Sequence, residues 1–305
     1  MYRTKITRRK LRKIKSYMMP ISMITGALFY SYLSELSFLT PYLIFFMLLI
    51  TYTNISIRSV RFSMLHLWLL AIQLLGSIGA YLAIRGIDPI IAQSAMICIL
   101  APTATSAVVI TGMLGGNTAS LTAFSLLSNL TVAVVAPLLF TIIGGHSGFS
   151  FWEELQEITL RVFILLLLPF FLAILLGKIS PKTHHKIKAS QSYSFYLWNI
   201  ALMIVTARTV NFLLLEGSNH VQTSLIIFGL TLVICIVQFY IGRLLGRRYS
   251  DTIAGGQGLG QKNTILSIWM AQTYLNPIAS IGPGAYILWQ NIINSSQVWY
   301  KQRRN

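Results

Sequence analysis

Ala254-Gly-Gly-Gln-Gly-Leu-Gly-Gln-Lys-Asn-Thr264 interrupts an apolar run that extends from about Thr252 to Thr273. Its four glycines weaken a helix, and its glutamines, lysine and asparagine need partners that hydrocarbon does not supply. An ionisable residue at this depth, Lys262, marks a functional site by default. The stretch therefore reads as the break of a discontinuous helix whose open backbone and polar side chains line a site.

The surrounding chain is that of a polytopic, all-α membrane protein. Of 305 residues, 55% are hydrophobic and only 10% charged, against roughly 25% charged in a soluble protein. Apolar runs at about 19–34, 39–54, 64–84, 89–113 and 118–143 make five candidate spans. Five more follow at about 158–177, 193–214, 222–242, 252–273 and 278–298. The net charge of +17 does not point to nucleic acid, because the basic residues flank apolar runs instead of forming one face. They cluster in residues 1–15, at Arg58 and Arg61, from Lys178 to Lys188, at Arg243, Arg247 and Arg248, and from Lys301 to Arg304. Ten spans place all five clusters on one side, which the positive-inside rule makes the cytoplasm, with both termini there. The expected division is a basic arm at 1–18, a first five-helix repeat at 19–150 and a second at 151–305. The arm is expected to rest on anionic lipid headgroups, and the chain to reside in a bacterial inner membrane.

A second interruption, Ala101-Pro-Thr-Ala-Thr-Ser-Ala107, occupies the fourth span as the glycine-rich one occupies the ninth. An odd number of spans per half inverts the second half. Interrupted segments at matching positions of two inverted halves indicate the binding site of a secondary transporter.

Three stretches resemble the bile acid:sodium symporter family. Pro102-Thr-Ala-Thr-Ser-Ala-Val108 stands where that family shows P-G-G-T-A-S-N, and Gly258-Leu-Gly-Gln-Lys-Asn263 where it shows E-x-G-x-Q-N. Pro283-Gly-Ala285 followed by Trp289-Gln-Asn291 stands where it shows P-G-A and a W-H-N-like triplet. The resemblance implies ten transmembrane helices in two inverted repeats, with helices 4 and 9 broken and crossed between a panel and a core. It also implies secondary active transport of an organic anion or similar small metabolite by alternating access.

The departures concern the ion. The family's sodium ligands fall at Ala107, Val108, Gly258 and Lys262, and none of these offers a side-chain oxygen. A further hydroxyl position falls at Leu121, although Ser125 keeps one nearby. Transport is therefore expected to run without sodium. Lys262 then serves as a tethered cation in the vacated place, as a proton carrier, or as a direct partner of an anionic substrate; a fixed structural charge is the bland alternative. The resemblance places Asn263, Gln290 and Asn291 against substrate, with Thr105 and Gln261 as further contacts. Asn294, Ser295 and Gln297 continue the polar face of the last span. Pro102, Thr103, Ser106, Gly258 and Gly260 form the crossover breaks. Two competing readings are a sodium symporter whose ligands have moved to Ser125, Thr105 or backbone carbonyls, and a non-transporting sensor on the same fold.

Arg208 reads as a side chain snorkelling to the outer interface, and His66 as an interfacial residue. Nothing suggests an enzyme: H-E-x-x-H, G-x-S-x-G and P-loop motifs are absent, and acidic residues are scarce in the spans. No cofactor is implied, and Cys98 and Cys235 suggest neither a disulfide nor a metal site.

Overall fold

Helix forms over each apolar run, and it stops where proline, glycine or a capping side chain ends it. A computed structural model describes residues 18, 20–54, 61–104, 106–144, 150–215 and 221–304. The basic arm, except for Met18, lies outside the described residues, as do Thr105, Arg58 and Glu216. The first half contains α1 (20–28), α2 (Tyr30–Leu33), a 3-10 turn, α3 (Thr40–Tyr52), α4 (Met64–Ile84), α5 (Pro89–Leu100), α6 (Ser106–Leu114) and α7 (Thr118–Ile143). The second contains α8 (Phe151–Val162), a π-helical turn (Phe163–Leu167), α9 (Leu168–Ile179), α10 (Pro181–Ala189), α11 (Gln191–Leu215) and α12 (Val221–Arg248). It continues with α13 (Thr252–Gly260), α14 (Thr264–Tyr274), a second 3-10 turn (Pro277–Ser280) and α15 (Ile281–Arg304). Among the described residues there is no β-strand, and five helical segments are long and apolar enough to cross a membrane.

Local sequence sets the ends. Asp88 caps α5 by accepting from the backbone N–H groups of Ile90 and Ile91 at 2.7 and 3.1 Å, with Pro89 in the first turn. Asn117 caps α7, and Ser150 with Glu153 forms a capping box on α8. Pro137 sits inside α7, where the Thr141 hydroxyl takes up the Pro137 carbonyl at 2.8 Å. Pro169 follows the π turn, a register change that absorbs the missing amide.

Close packing assembles the core around the broken helices. α12 lies along α13 and α4 along α5. Gly242 and Gly246 make the α12–α13 approach possible, since a Cβ on either would fall on the carbonyl of Gly255 or Asp251. Small residues four apart allow backbones in a membrane bundle this proximity. α3 and α11 pack on each other and touch α14, forming a separate wall against the core.

Candidate functional site

The two broken helices cross at their interruptions. Pro102 has no amide to continue α5, and Ala101 turns away at φ −40°, ψ 132°. At the other break Gln261 leaves α13 in an extended conformation. Thr103 and Lys262 then pair as an antiparallel bridge, held by Ala104 N–H to Gln261 O at 3.0 Å and Asn263 N–H to Pro102 O at 2.8 Å. The Thr103 hydroxyl donates to Gly258 O at 2.7 Å, which ties the first break to the end of α13. Lys262 reciprocates, because its Nζ donates to Ile99 O near the end of α5 at 2.8 Å.

Amides from neighbouring helices satisfy what the breaks leave open. Gln73 of α4 donates to Leu100 O and Ala101 O at 2.7 and 3.0 Å, and accepts from Ser128 at 2.9 Å. Ser125 and Asn129 of α7 both donate to Thr103 O at 3.3 Å. On the other side, Gln290 accepts from the Lys262 N–H at 2.9 Å, and the Tyr286 hydroxyl donates to Gly260 O at 3.0 Å. Gln238 of α12 donates to Tyr286 at 3.0 Å. Of these supports, Gln73, Ser128, Asn129, Gln238 and Tyr286 went unread in the sequence, whereas Ser125 and Gln290 were read in other roles. The missed signal was a lone amide inside an apolar run at Gln73, Asn129 and Gln238.

Lys262 is 1% exposed, one of the largest fully buried side chains. Among the described residues the one ion pair joins Glu157 to Arg161, so no carboxylate balances the lysine. Beside it, Ala107, Leu121 and Phe124 form a dry cluster with Leu65, Leu69, Ala254 and Leu259, and Val108 packs against it. A Cβ on Gly258 would stand 2.8 Å from the Phe124 ring, so this position has no room for a longer side chain.

A cavity of about 340 Å³ lies between this crossing and the α3–α11 wall. Gln261, Lys262, Asn263, Ser106, Gln290 and Asn291 border it, whereas Pro102, Thr103, Gly258 and Gly260 do not. Asn263 also caps α14 through Leu266 N–H at 3.4 Å, and Asn291 donates to Ile287 O at 2.6 Å on its own helix. Gln261 donates to Ser106 at 3.2 Å and accepts from Asn294. Sequence reasoning missed the opposite wall, which supplies Met47, Thr51, Ser194 and Trp198. Among the described residues the buried Ser194 hydroxyl has no hydrogen-bond partner.

Two readings change. His66 is 1% exposed, not interfacial: its ring accepts from Ser63 N–H at 3.2 Å and meets Ser120 at 2.9 Å, because it completes the cap of α4. Arg208 does not simply reach outward. It donates to Gln272 O at 3.3 Å, while Gln272 donates to Thr209 at 2.9 Å and Val205 O at 3.3 Å, joining α11 to α14.

The crossed, interrupted helices and the cavity beside them agree with one comparison. The model of the SBF-like CPA transporter family matches residues 42–292. The chain belongs to this family. The match runs from α3 into α15 and takes in both breaks, so the chain is an integral membrane protein of a transporter family, as the three motif stretches implied. A search of curated proteins finds no match.

Proposed function

We propose that this SBF-like protein is a secondary transporter of a small organic anion, working by alternating access and without sodium. In this reading ten spans form two inverted five-helix halves in a bacterial inner membrane, with both termini cytoplasmic. Gln73 and Gln238, one from the third span of each half, then act as paired supports of the crossing.

The observation that carries the reading is the exchange of ligands at the crossover. Lys262 stands buried where the family resemblance expects an oxygen ligand, and its ammonium is turned to the Ile99 carbonyl. Ala107, Leu121 and Gly258 pack with Phe124 and offer no side-chain oxygen to a metal ion. Lys262 thus acts as a tethered cation stabilised by the carbonyl end of α5. The same direction of its side chain argues against direct pairing with substrate.

The choice of an anion follows from the half-helices. α6 begins at Ser106 and α14 at Thr264, both on the cavity wall, so two positive helix ends flank the bound molecule. Asn263, Gln290, Asn291 and Gln261 add amide contacts without charge, and Ser194 an uncommitted hydroxyl. Gln272, Arg208 and Thr209 join wall and core roughly 10–20 Å further along α11, at 1.5 Å per residue. That closure leaves the cavity served from the opposite, cytoplasmic end.

The test is uptake into proteoliposomes with choline in place of sodium. Transport should persist, and strong sodium stimulation would sink the proposal. In the same assay Lys262→Gln should abolish uptake or flatten its pH profile. Unchanged rates at every pH would remove the lysine from the mechanism.

A further inference from the structure

A second cavity, of about 490 Å³, opens beside the last turns of α15, at Tyr300 and Lys301. Leu114, Arg243, Ile253, Gln297, Tyr300 and Lys301 line it, and it shares no lining residue with the first. We propose that it is a binding site for a phosphate-class oxyanion, either the headgroup of an anionic phospholipid or a free phosphate. This goes beyond the transport reading and does not rest on it.

Arg243 from α12 and Lys301 from α15 bring two positive charges to one cavity. No carboxylate pairs with either among the described residues, where Glu157–Arg161 is the single ion pair. A guanidinium and an ammonium, with the Tyr300 hydroxyl and the Gln297 amide beside them, are the donors that suit a tetrahedral oxyanion.

Arg243 is also held in place. Arg243 Nη2 donates to Gln297 Oε1 at 3.0 Å, which leaves most of its donors for a ligand. Gln297 Oε1 is fixed in turn by Gln257 at 3.2 Å, and Gln257 donates to Asn294 at 2.9 Å. Asn294 donates to Gln261, so a ladder of amides joins this cavity to the wall of the first. Gln257 is 1% exposed and its Oε1 has no partner, so the ladder is one donor short. Under Lys301 the chain turns at Gly115 with φ +79°, where a Cβ would lie 3.9 Å from the ammonium. Lys301 Nζ makes no hydrogen bond among the described residues, which leaves its charge to a ligand.

The experiment uses the full chain in lipid nanodiscs. One arm adds inorganic phosphate to discs of phosphatidylcholine alone and follows thermal unfolding against chloride at equal ionic strength. The other incorporates phosphatidylglycerol and counts lipid adducts retained in native mass spectrometry. A response in the first arm alone assigns a soluble phosphate, and one in the second alone a lipid headgroup. Arg243→Gln with Lys301→Gln should weaken the response about tenfold, the scale of a lost charge-assisted hydrogen bond. Lys186→Gln with Lys188→Gln, on α10, should leave it intact. If the double variant does not fold, Lys301→Gln alone, at an exposed position, should still weaken it. No response in either arm, or equal responses from wild type and the cavity variants, overturns the proposal.

Discussion

The first break, Ala101–Ala104, and the second, Gly260–Asn263, solve the same backbone problem by different means. At the first, the neutral groups of Gln73, Ser125, Ser128 and Asn129 reach in from α4 and α7 to satisfy the open backbone, and Lys262 takes up the Ile99 carbonyl at the end of α5. At the second, α15 supplies Gln290 and Tyr286, and the break adds a charge of its own in Lys262. The two breaks are alike in backbone and differ in charge. The proposed role of Lys262 in transport goes beyond its bond to the Ile99 carbonyl.

Three substitutions break or sharpen that contrast. The largest effect is expected from Lys262→Met, which keeps the volume and removes the charge. Removing the charge relieves the cost of burying it without a carboxylate, which offsets the loss, about 1–3 kcal/mol, of leaving the Ile99 carbonyl without its donor. Transport should fall to background while the thermal midpoint holds or rises. A drop in both would make Lys262 a structural residue. Gln73→Leu acts on the first break. It leaves the Leu100 and Ala101 carbonyls without their donor and should cost about 2–3 kcal/mol by thermal or denaturant unfolding. Uptake per folded molecule should change little, and a specific transport defect would erase the distinction between the two breaks. The smallest effect is expected from Thr103→Val, which removes one hydroxyl from the Gly258 carbonyl for about 1 kcal/mol.

Much of the first layer was legible in the chain. The runs at 64–84 and 118–143 return as α4 and α7 with the same ends, because an uninterrupted apolar run with a capping residue leaves little choice of boundary. Pro102 and the glycines of α13 marked both interruptions for equally local reasons. The site was legible only on one side. Asn263, Gln261 and Asn291 were visible as polar residues near a break, whereas Met47 and Trp198 look like any other apolar span residues. His66 at a span end resembled an interfacial residue, yet its burial depends on Ser120 from α7. Arg208 likewise looked free until α14 brought the Gln272 carbonyl to it.

By itself the sequence determined that this chain is helical, apolar and twice broken, since helix propensity, hydrophobic runs and missing amides act over a few neighbouring residues. It also determined that a lysine stands where an oxygen ligand was expected. Only the tertiary structure decided what that lysine meets. Ile99 lies 163 residues away in the chain, and its carbonyl comes within 2.8 Å of Nζ because the two half-helices cross. The packing of Phe124 over Gly258 is of the same kind, a contact between distant segments that no local pattern encodes. On those two contacts, one polar and one dry, the proposal of sodium-free transport rests.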